Sequence, residues 1–375
     1  MYLKDLHLRS FRNYSDRKVE FTAQKTILVG NNAQGKSNLL EAVELLSTLK
    51  SHRSPRDRDL IEENSDVARI EATIKRAYST LELGIILRRQ GRRTVSLNRE
   101  NLRRQIDFLG SLNTVQFSSL DLDLVRGGPG CRRNWIDNLL IQLEPIYAYI
   151  LQQYERIIKQ RNALLKLLRD RDSASTNLEE SQLKIWDEKL AEMGSRVTRR
   201  RARILARLTP IAREWHASIS GKTEILDIVY TSNINWLEDD PIHVKEAFLT
   251  KIQQRRMAEK QLGTTIVGPH RDEIELFINN TPARAYGSQG QQRTLVLALK
   301  LAELKSLEQV IGEAPLLLLD DVLAELDPNR QKQLLNAIGD RFQTLITTTH
   351  IDSFADLWLE NSQILAVEAG KISNF

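Results

Sequence analysis

The sequence predicts an α/β fold assembled from both ends of the chain, with a long, mainly helical insertion between them. Three features carry that expectation: a glycine-bounded loop near the N-terminus between a strand and a helix, an apolar strand ending in two carboxylates near the C-terminus, and two long amphipathic helical runs in the middle. At 375 residues the chain exceeds one ordinary core, and two or three compact units are expected.

The loop is Gly30-Asn31-Asn32-Ala33-Gln34-Gly35-Lys36-Ser37, which fits the phosphate-binding pattern of a glycine, any four residues, then Gly-Lys-Ser. Residues 26–29 before it read as a short buried strand, and 38–49 after it carry apolar residues at helical spacing. Gly30 and Gly35 let the backbone turn its N–H groups inward, and the following helix adds the positive end of its dipole. Lys36 then reaches the outer phosphates, and Ser37 offers a hydroxyl to magnesium, a hard cation that takes oxygen ligands.

Ahead of the loop, residues 2–11 alternate apolar and polar side chains as a half-buried strand does, and 18–21 extend a small sheet that includes the loop strand. Arg12 and Asn13 follow the first strand; Arg12 either lies beside bound phosphates or stays solvated. Residues 68–74 and 80–87 read as strands, with Gln90-Gly91-Arg92-Arg93 as the turn pairing 80–87 with 93–98. That basic turn either touches phosphate or is plainly solvated. Another strand is expected at 113–117. The cluster Gly127-Gly128-Pro129-Gly130 marks a boundary, which assigns 126–261 to the insertion and 1–125 with 262–375 to the head.

Within the insertion, 132–168 and 178–220 read as two long helices separated by a polar loop at 170–177, making an arm on the order of 50 Å at 1.5 Å per residue. No heptad seam is sustained, so a regular coiled coil is not expected. Arg196, Arg199, Arg200, Arg201, Arg203 and Arg207 crowd the second helix, and helical spacing places Arg196, Arg200, Arg203 and Arg207 on one side. Such a stripe either tracks a nucleic-acid backbone or is the ordinary charge of an exposed helix. The insertion holds 24 Lys and Arg against 18 Asp and Glu, whereas the rest of the chain holds 30 against 31. The positive excess is therefore in the middle. Strand 224–231, helix 241–262 and strand 264–267 complete this region.

In the C-terminal half, Gly268-Pro269-His270-Arg271-Asp272 forms a turn before a strand at 274–278, and its lone histidine reads as structural. Tyr286-Gly287-Ser288-Gln289-Gly290-Gln291-Gln292-Arg293 precedes an apolar helix at 294–307, so Ser288 and Gly290 provide a second helix start suited to anions. The strand Leu316-Leu317-Leu318-Leu319 ends in Asp320 and Asp321: the first acid suits a magnesium shell and the second orients or activates water. Asp327 is placed to cap a helix starting at Pro328. Strand 344–349 ends at His350, which either meets the terminal phosphate or is an ordinary loop histidine.

The single Cys131 excludes an internal disulfide and a cysteine-rich metal site, which fits a reducing cytosol. No apolar run approaches the roughly 20 residues needed to span a bilayer, and no long apolar signal core opens the chain. A soluble, cytoplasmic protein without a membrane partner is expected.

Taken in order, these motifs resemble the ATPase heads of the ABC and SMC class, in which a helical insertion separates two halves of the head. Within that class, Leu8-Arg9-Ser10-Phe11-Arg12-Asn13-Tyr14, Gly268 to Asp272 and Ser288-Gln289-Gly290-Gln291-Gln292-Arg293 are similar to the RecF family of bacterial recombination mediators. The resemblance covers nearly the whole chain. It implies an ABC/SMC-like P-loop head formed by both chain ends with an inserted arm, and a DNA-binding protein of recombinational repair and replication-fork maintenance. It further implies ATP and Mg2+ as cofactors, homodimerisation with nucleotide between two heads, action at gapped or single-strand/double-strand DNA junctions, and work with RecO and RecR to load RecA.

Carried onto this sequence, the resemblance assigns Gly30 to Ser37, with Arg12 and Asn13, to nucleotide, and Ser37 and Asp320 to magnesium. Asp321 falls at the position that acts on water, Ser288, Gly290 and Gln291 in the signature facing the partner's ATP, Asp327 in the dimer-interface loop, and His350 at the switch histidine. Gln116 is the nearest candidate for the glutamine that senses magnesium. Many members of the class have glutamate where Asp321 stands, and the shorter side chain implies slow turnover. Two other readings stay open: a transport-type ATP-binding subunit that docks on a membrane protein, and an adaptor that binds ATP and barely hydrolyses it.

Overall fold

The computed structural model describes residues 1–54, 56–170, 177–351, 359 and 361–375. Most of the polar loop expected at 170–177 lies outside the described residues. Along the chain, β1 (Tyr2–Phe11) and β2 (Tyr14–Glu20) form a hairpin, β3 (Lys25–Val29) leads into the glycine loop, and α1 (Lys36–Thr48) follows. Strands β4 (Val67–Lys75), β5 (Thr80–Arg88), β6 (Thr94–Leu97) and β7 (Glu100–Asn101) meander towards β8 (Thr114–Ser118). Helices α2 (Asp123–Arg126), α3 (Pro129–Leu143), α4 (Ile146–Arg169) and α5 (Asn177–Ile219) come next, then β9 (Leu226–Thr231) and α6 (Pro241–Leu262). The chain returns through β10 (Glu273–Ile278), β11 (Thr281–Pro282), α7 (Ala283–Tyr286), α8 (Gln289–Ile311), β12 (Leu316–Asp320), α9 (Val322–Glu325) and α10 (Pro328–Ile338). It ends with β13 (Thr344–Thr348), β14 (Ser362–Glu368) and β15 (Lys371–Asn374).

The central sheet has the order β15-β14-β3-β13-β12-β8, parallel from β14 to β8 with β15 antiparallel at one edge. Every residue of β3 and Leu316 to Leu319 of β12 are buried, the continuous apolar pattern of strands covered on both faces. Because β3, β13 and β12 run parallel, their carboxyl ends open on one edge of the sheet. That topology delivers the glycine loop after β3 and the acids after β12 to the same place.

A second, antiparallel sheet, β2-β1-β4-β5-β6-β7, packs over α1. Its strands alternate, as in β4, where Ala68, Ile70, Ala72 and Ile74 are buried between exposed or half-buried neighbours. The strands at 2–11 and 14–20 therefore belong to this sheet and do not extend the loop strand. A third sheet, β11-β10-β9, sits at the base of the insertion. The main core includes Ile27 and Ile346 of the head, Leu190, Leu205 and Leu208 of α5, Phe248 of α6 and Leu299 of α8, so apolar packing continues across residues 126 and 261.

Two expectations are corrected. The helix expected over 132–168 is two helices, because Glu144, the residue before Pro145, leaves helical geometry at φ −135° and ψ 86°. The glycine-proline cluster coincides with a helix start, with Pro129 in the first turn of α3. The strand expected at 264–267 is absent: Thr265 N–H donates to Asn162 Oδ1 at 2.7 Å and Ile266 N–H to Glu259 Oε1 at 2.9 Å, so side chains consume the bonds a strand partner would take. The second arm helix stands, as the 43-residue α5, about 65 Å long at 1.5 Å per residue.

Buried arginines tie α3, α4, α5 and α6 to one another and to Thr265 and Pro269. Arg161 of α4 donates to Asp187 of α5 and Thr265 at 2.9 Å each, and to Glu259 of α6 at 2.5 Å. Arg201 of α5 grips Asp137 of α3 with two bonds of 2.8 Å and donates to the Pro269 carbonyl at 2.7 Å.

Candidate functional site

The glycine loop is clamped from outside before any ligand is considered. Tyr14, fully buried, donates from its hydroxyl to the Gly35 carbonyl at 2.9 Å, and Asn13 Nδ2 donates to the Gln34 carbonyl at 2.8 Å. From the other side, the turn between β14 and β15 contributes Gly370 N–H to the Gln34 carbonyl at 2.9 Å and Ala369 N–H to Gln34 Oε1 at 2.7 Å. Both motif glycines are sterically required. A Cβ on Gly30 would collide with the Val367 carbonyl, and Gly35 has φ 118° with Asn13 side-chain atoms 2.7 and 2.8 Å from where its Cβ would lie.

Within the loop, Lys36 is buried and folds back, its Nζ donating to the carbonyls of Gly30 at 2.7 Å and Asn31 at 3.0 Å. Ser37 Oγ donates to Asp320 Oδ1 at 2.7 Å, which joins the loop to the end of β12. Thr347 of β13, between the two strands, donates to the same Asp320 oxygen at 2.8 Å and accepts the Asp321 N–H at 2.9 Å. Asp321 adopts the left-handed region at φ 54°. Burial raises its carboxyl pKa, Lys36 works in the opposite direction, and the neighbouring Asp320 charge adds to the rise. A cleft of about 470 Å³ opens here, lined among others by Asn13, Ala33, Gln34, Lys36, Ser37 and Asp321.

Arg12 and Arg53 also line this cleft. Arg12 is committed to the protein: it grips Glu41 with bonds of 2.9 and 2.8 Å and donates to the Asp59 carbonyl at 2.9 Å and Ser54 Oγ at 2.7 Å. Of the two readings the sequence left open, the solvated side chain does not describe it, and its place in the cleft lining is compatible with a position beside phosphates. Arg53 Nη1 donates to Asn38 Oδ1 at 2.8 Å.

Gln116 does not line the loop cleft. It faces a separate cleft of about 460 Å³ beside α1 and α8, where its Nε2 lies 3.3 Å from His52 Nε2. Burial opposes the charged form of His52, but the Glu44 hydrogen bond and the charges of Glu44, Glu41 and Asp320 outweigh it and raise the pKa. His350 follows β13, its N–H 3.2 Å from Thr348 Oγ1, and is also absent from the lining of the loop cleft.

Ser288, Gly290 and Gln291 lie away from that cleft as well, at the start of α8. Ser288 and Gln291 form a reciprocal capping box: Ser288 Oγ accepts the Gln291 N–H at 3.2 Å, and Gln291 Oε1 accepts the Ser288 N–H at 2.8 Å. Gln291 Nε2 also donates to Glu224 Oε1 at 2.9 Å. Asp327 caps α10, accepting the N–H groups of Asn329 and Arg330 at 3.1 and 3.2 Å. One chain thus presents two separate helix starts, with Asp320 and Asp321 beside only the first.

The family model described as the RecF/RecN/SMC N terminal domain matches residues 2–373. The DNA replication and repair protein RecF of Gloeothece citriformis is 67% identical over 384 residues, covering 100% of both chains, and that of Rippkaea orientalis is 66% identical over 377 residues, covering 99% of each. The chain belongs to the RecF family.

Solved structures agree with that membership. The recombination mediator protein RecF with ATPrS, in the RecFOR pathway, superposes on this RecF-family chain with a TM-score of 0.91 at 31% identity, covering 100% of this chain and 98% of that one. The RecF-ATP structure gives 0.90 at 32%, covering 100% and 97%. The Smc head domain of Pyrococcus furiosus, at 16% identity and a TM-score of 0.54, shares the fold. The RecF-family chain therefore has the ABC/SMC-type ATPase head with a helical arm. Among the described residues, no helix is long and apolar enough to cross a membrane.

Two supporting residues of this RecF-family site escape a motif search. Thr347 reaches both acids, and its only sequence signal is a hydroxyl in an otherwise buried strand. Glu41, 0% exposed, holds Arg12 and accepts from Ser51; its signal is an acid on the apolar face of α1.

Proposed function

We propose that the chain is an ATP-dependent DNA-binding protein of recombinational repair and replication-fork maintenance, a slow DNA-dependent ATPase that closes as a homodimer when nucleotide binds. The observation that carries the reading is the 2.7 Å bond between Ser37 and Asp320, residues 283 positions apart. A phosphate loop and a strand-end acid meet there as a nucleotide site requires. The names of the RecF relatives and the ATP and ATPrS complexes of RecF support it.

In this reading Lys36 exchanges its bonds to the Gly30 and Asn31 carbonyls for the outer phosphates of ATP. The Ser37 hydroxyl and the Asp320 carboxylate are hard oxygen donors of the kind Mg2+ takes, and with Mg2+ bound the site supplies neutralisation of the phosphate charge. Asp321 accepts a hydrogen bond from the attacking water, and Thr347 holds the backbone that aims it. The α8 start, with Ser288, Gly290 and Gln291, faces the nucleotide of the second chain, with Asp327 at the interface, His350 as the switch histidine and Gln116 as the magnesium-sensing glutamine. Residues 126–261 act as the arm. In the cytoplasm the closed dimer holds gapped or junction DNA and works with RecR and RecO to load RecA.

Sedimentation of wild type and Lys36→Ala, with and without ATP and gapped DNA, tests the reading. Wild type is expected to dimerise only with ATP and to co-sediment with DNA, and Lys36→Ala to stay monomeric. An ATP-induced dimer of Lys36→Ala would overturn it.

A further inference from the structure

The start of α8 and the start of α10 are tied together by one side chain that none of the sequence motifs marks. Arg330, in the first turn of α10, uses its guanidinium in three directions: Nε donates to Thr294 Oγ1 at 2.8 Å, Nη2 to the Gly290 carbonyl at 3.0 Å, and Nη1 pairs with Asp327. Two partners lie on α8 and one at the start of α10. Thr294 is buried in the body of α8, the Gly290 carbonyl belongs to its first turn, and Asp327 is the cap of α10.

A guanidinium is a rigid planar fork, so three bonds from one such group fix the separation of the two helix starts in a way that a lysine ammonium cannot. The fit is close. A Cβ on Gly290 would lie 3.3 Å from Nη2, tighter than ordinary contact, so the glycine leaves room for the arginine. Asp327 is bound on both oxygens, Oδ1 by the α10 backbone and Oδ2 by Arg330, so the cap and the arginine move together. Neither Arg330 nor its three partners lines the cleft of this chain's own phosphate loop.

We propose that Arg330 is a positioning residue for the nucleotide of the second subunit: it locks the Ser288 to Gly290 turn and the Asp327 turn into one unit, so that both reach the partner's phosphates together. The inference rests on the two-chain reading above and adds to it a residue outside the motifs. Arg330 itself touches no phosphate. Its effect passes through the Gly290 carbonyl and the Asp327 carboxylate.

Mixing two damaged chains tests this. In a two-fold dimer each site joins the loop of one chain to the α8 start of the other. Arg330→Ala dimers then carry damage in both sites and Lys36→Ala chains do not pair with one another, but a mixed dimer gathers both lesions into one site and leaves the other intact. Each variant alone is expected to lose at least tenfold in ATP turnover. An equal mixture is expected to recover roughly a quarter to a half of the wild-type rate, since each mixed dimer has one of its two sites whole and Lys36→Ala chains form no dimers of their own. Arg330→Ala should bind a fluorescent ATP analogue within about twofold of wild type, because its own loop is untouched. Arg330→Lys, which keeps the charge without the fork, should turn over slowly and be complemented in the same way.

A Lys36→Ala and Ser288→Arg mixture is the reference. If it recovers and the Arg330 mixtures do not, Arg330 acts within its own chain and the inference fails while the two-chain reading stands. If neither recovers, both fail. Wild-type turnover by Arg330→Ala also overturns the inference, and should that variant not fold, Arg330→Gln replaces it in the same mixture.

Discussion

At the scale of single residues, the site turns on how Asp321 is held. Its backbone is in the left-handed region, uncommon for a non-glycine residue, and its N–H is paid out to Thr347 Oγ1 at 2.9 Å. Its carboxyl is raised above 3.8 by burial and by Asp320, with Lys36 opposing. The deprotonated form is the one that accepts a bond from water, so hydrolysis should decline on the acid side at a higher pH than an ordinary carboxylate would give. Asp321→Asn should remove that dependence and slow turnover by about 10² to 10⁴, the usual contribution of a general base. A single-turnover rate series against pH checks the first point, and the lifetime of the ATP-bound dimer on DNA the second; a lifetime unchanged by the substitution would mean that hydrolysis does not time the cycle. Thr347→Val should leave ATP affinity nearly intact but lower the melting temperature and the turnover, since it strands the Asp321 N–H at about 1 to 3 kcal/mol.

At the scale of elements, charge and burial reorganise what the sequence shows. The loop, the strand before it and the acids after β12 are legible because each is a contiguous pattern, and the parallel topology brings them together. Interactions between distant positions are not legible. The arginine stripe of α5 is mostly neutralised: Arg199 and Arg203 pair with Asp239, Arg200 with Glu144 and Arg196 with Glu192, while Arg201 is buried on Asp137. On α4, by contrast, Arg156, Lys159 and Lys166 are exposed and have no ion pair among the described residues. Arg156→Glu with Lys159→Glu should therefore weaken duplex binding and lower the slope of log K against log salt by about 2, whereas Arg203→Ala should change it little. Anisotropy titrations over a salt series decide this, and equal slopes would remove α4 from the DNA surface.

The turn at 268–272 makes a second case at this scale. His270 accepts from the Tyr154 hydroxyl at 2.7 Å on Nδ1 and donates to the Thr265 carbonyl at 3.0 Å from Nε2, and burial first, with nearby arginines, lowers its pKa to about 4. The unfolded chain, at about 6.5, binds the proton more readily, so stability is full above pH 6.5 and falls as the pH drops towards 4, by about 3 kcal/mol at most. Denaturant unfolding at pH 7.5 and 5 should show that loss in wild type and less of it in His270→Gln. The comparison separates His270 from Asp272, whose burial-raised pKa acts in the opposite sense.

Across the whole molecule, α5 is one 43-residue helix that packs on α4, α6 and α8 within a single core. Just beyond its end, Glu224 accepts from Gln291 Nε2 at 2.9 Å while Gln291 Oε1 accepts the Ser288 N–H at 2.8 Å, and His216 of α5 lies 3.6 Å from the other Glu224 oxygen. One carboxylate thus contacts both the end of α5 and the cap of α8. If DNA on the arm and nucleotide at the α8 start are coupled by this route, the coupling should be of the usual 1 to 3 kcal/mol, a 5- to 150-fold effect. Glu224→Ala should then remove most of the DNA stimulation of ATP hydrolysis while leaving DNA-free turnover and DNA affinity near wild type. A link that only stabilised the fold would behave differently: melting temperature would fall and the stimulation ratio would persist. Measuring turnover with and without gapped DNA beside thermal unfolding separates the two, and a Glu224→Ala chain that is still fully stimulated would show that the arm speaks to the α8 start by another path.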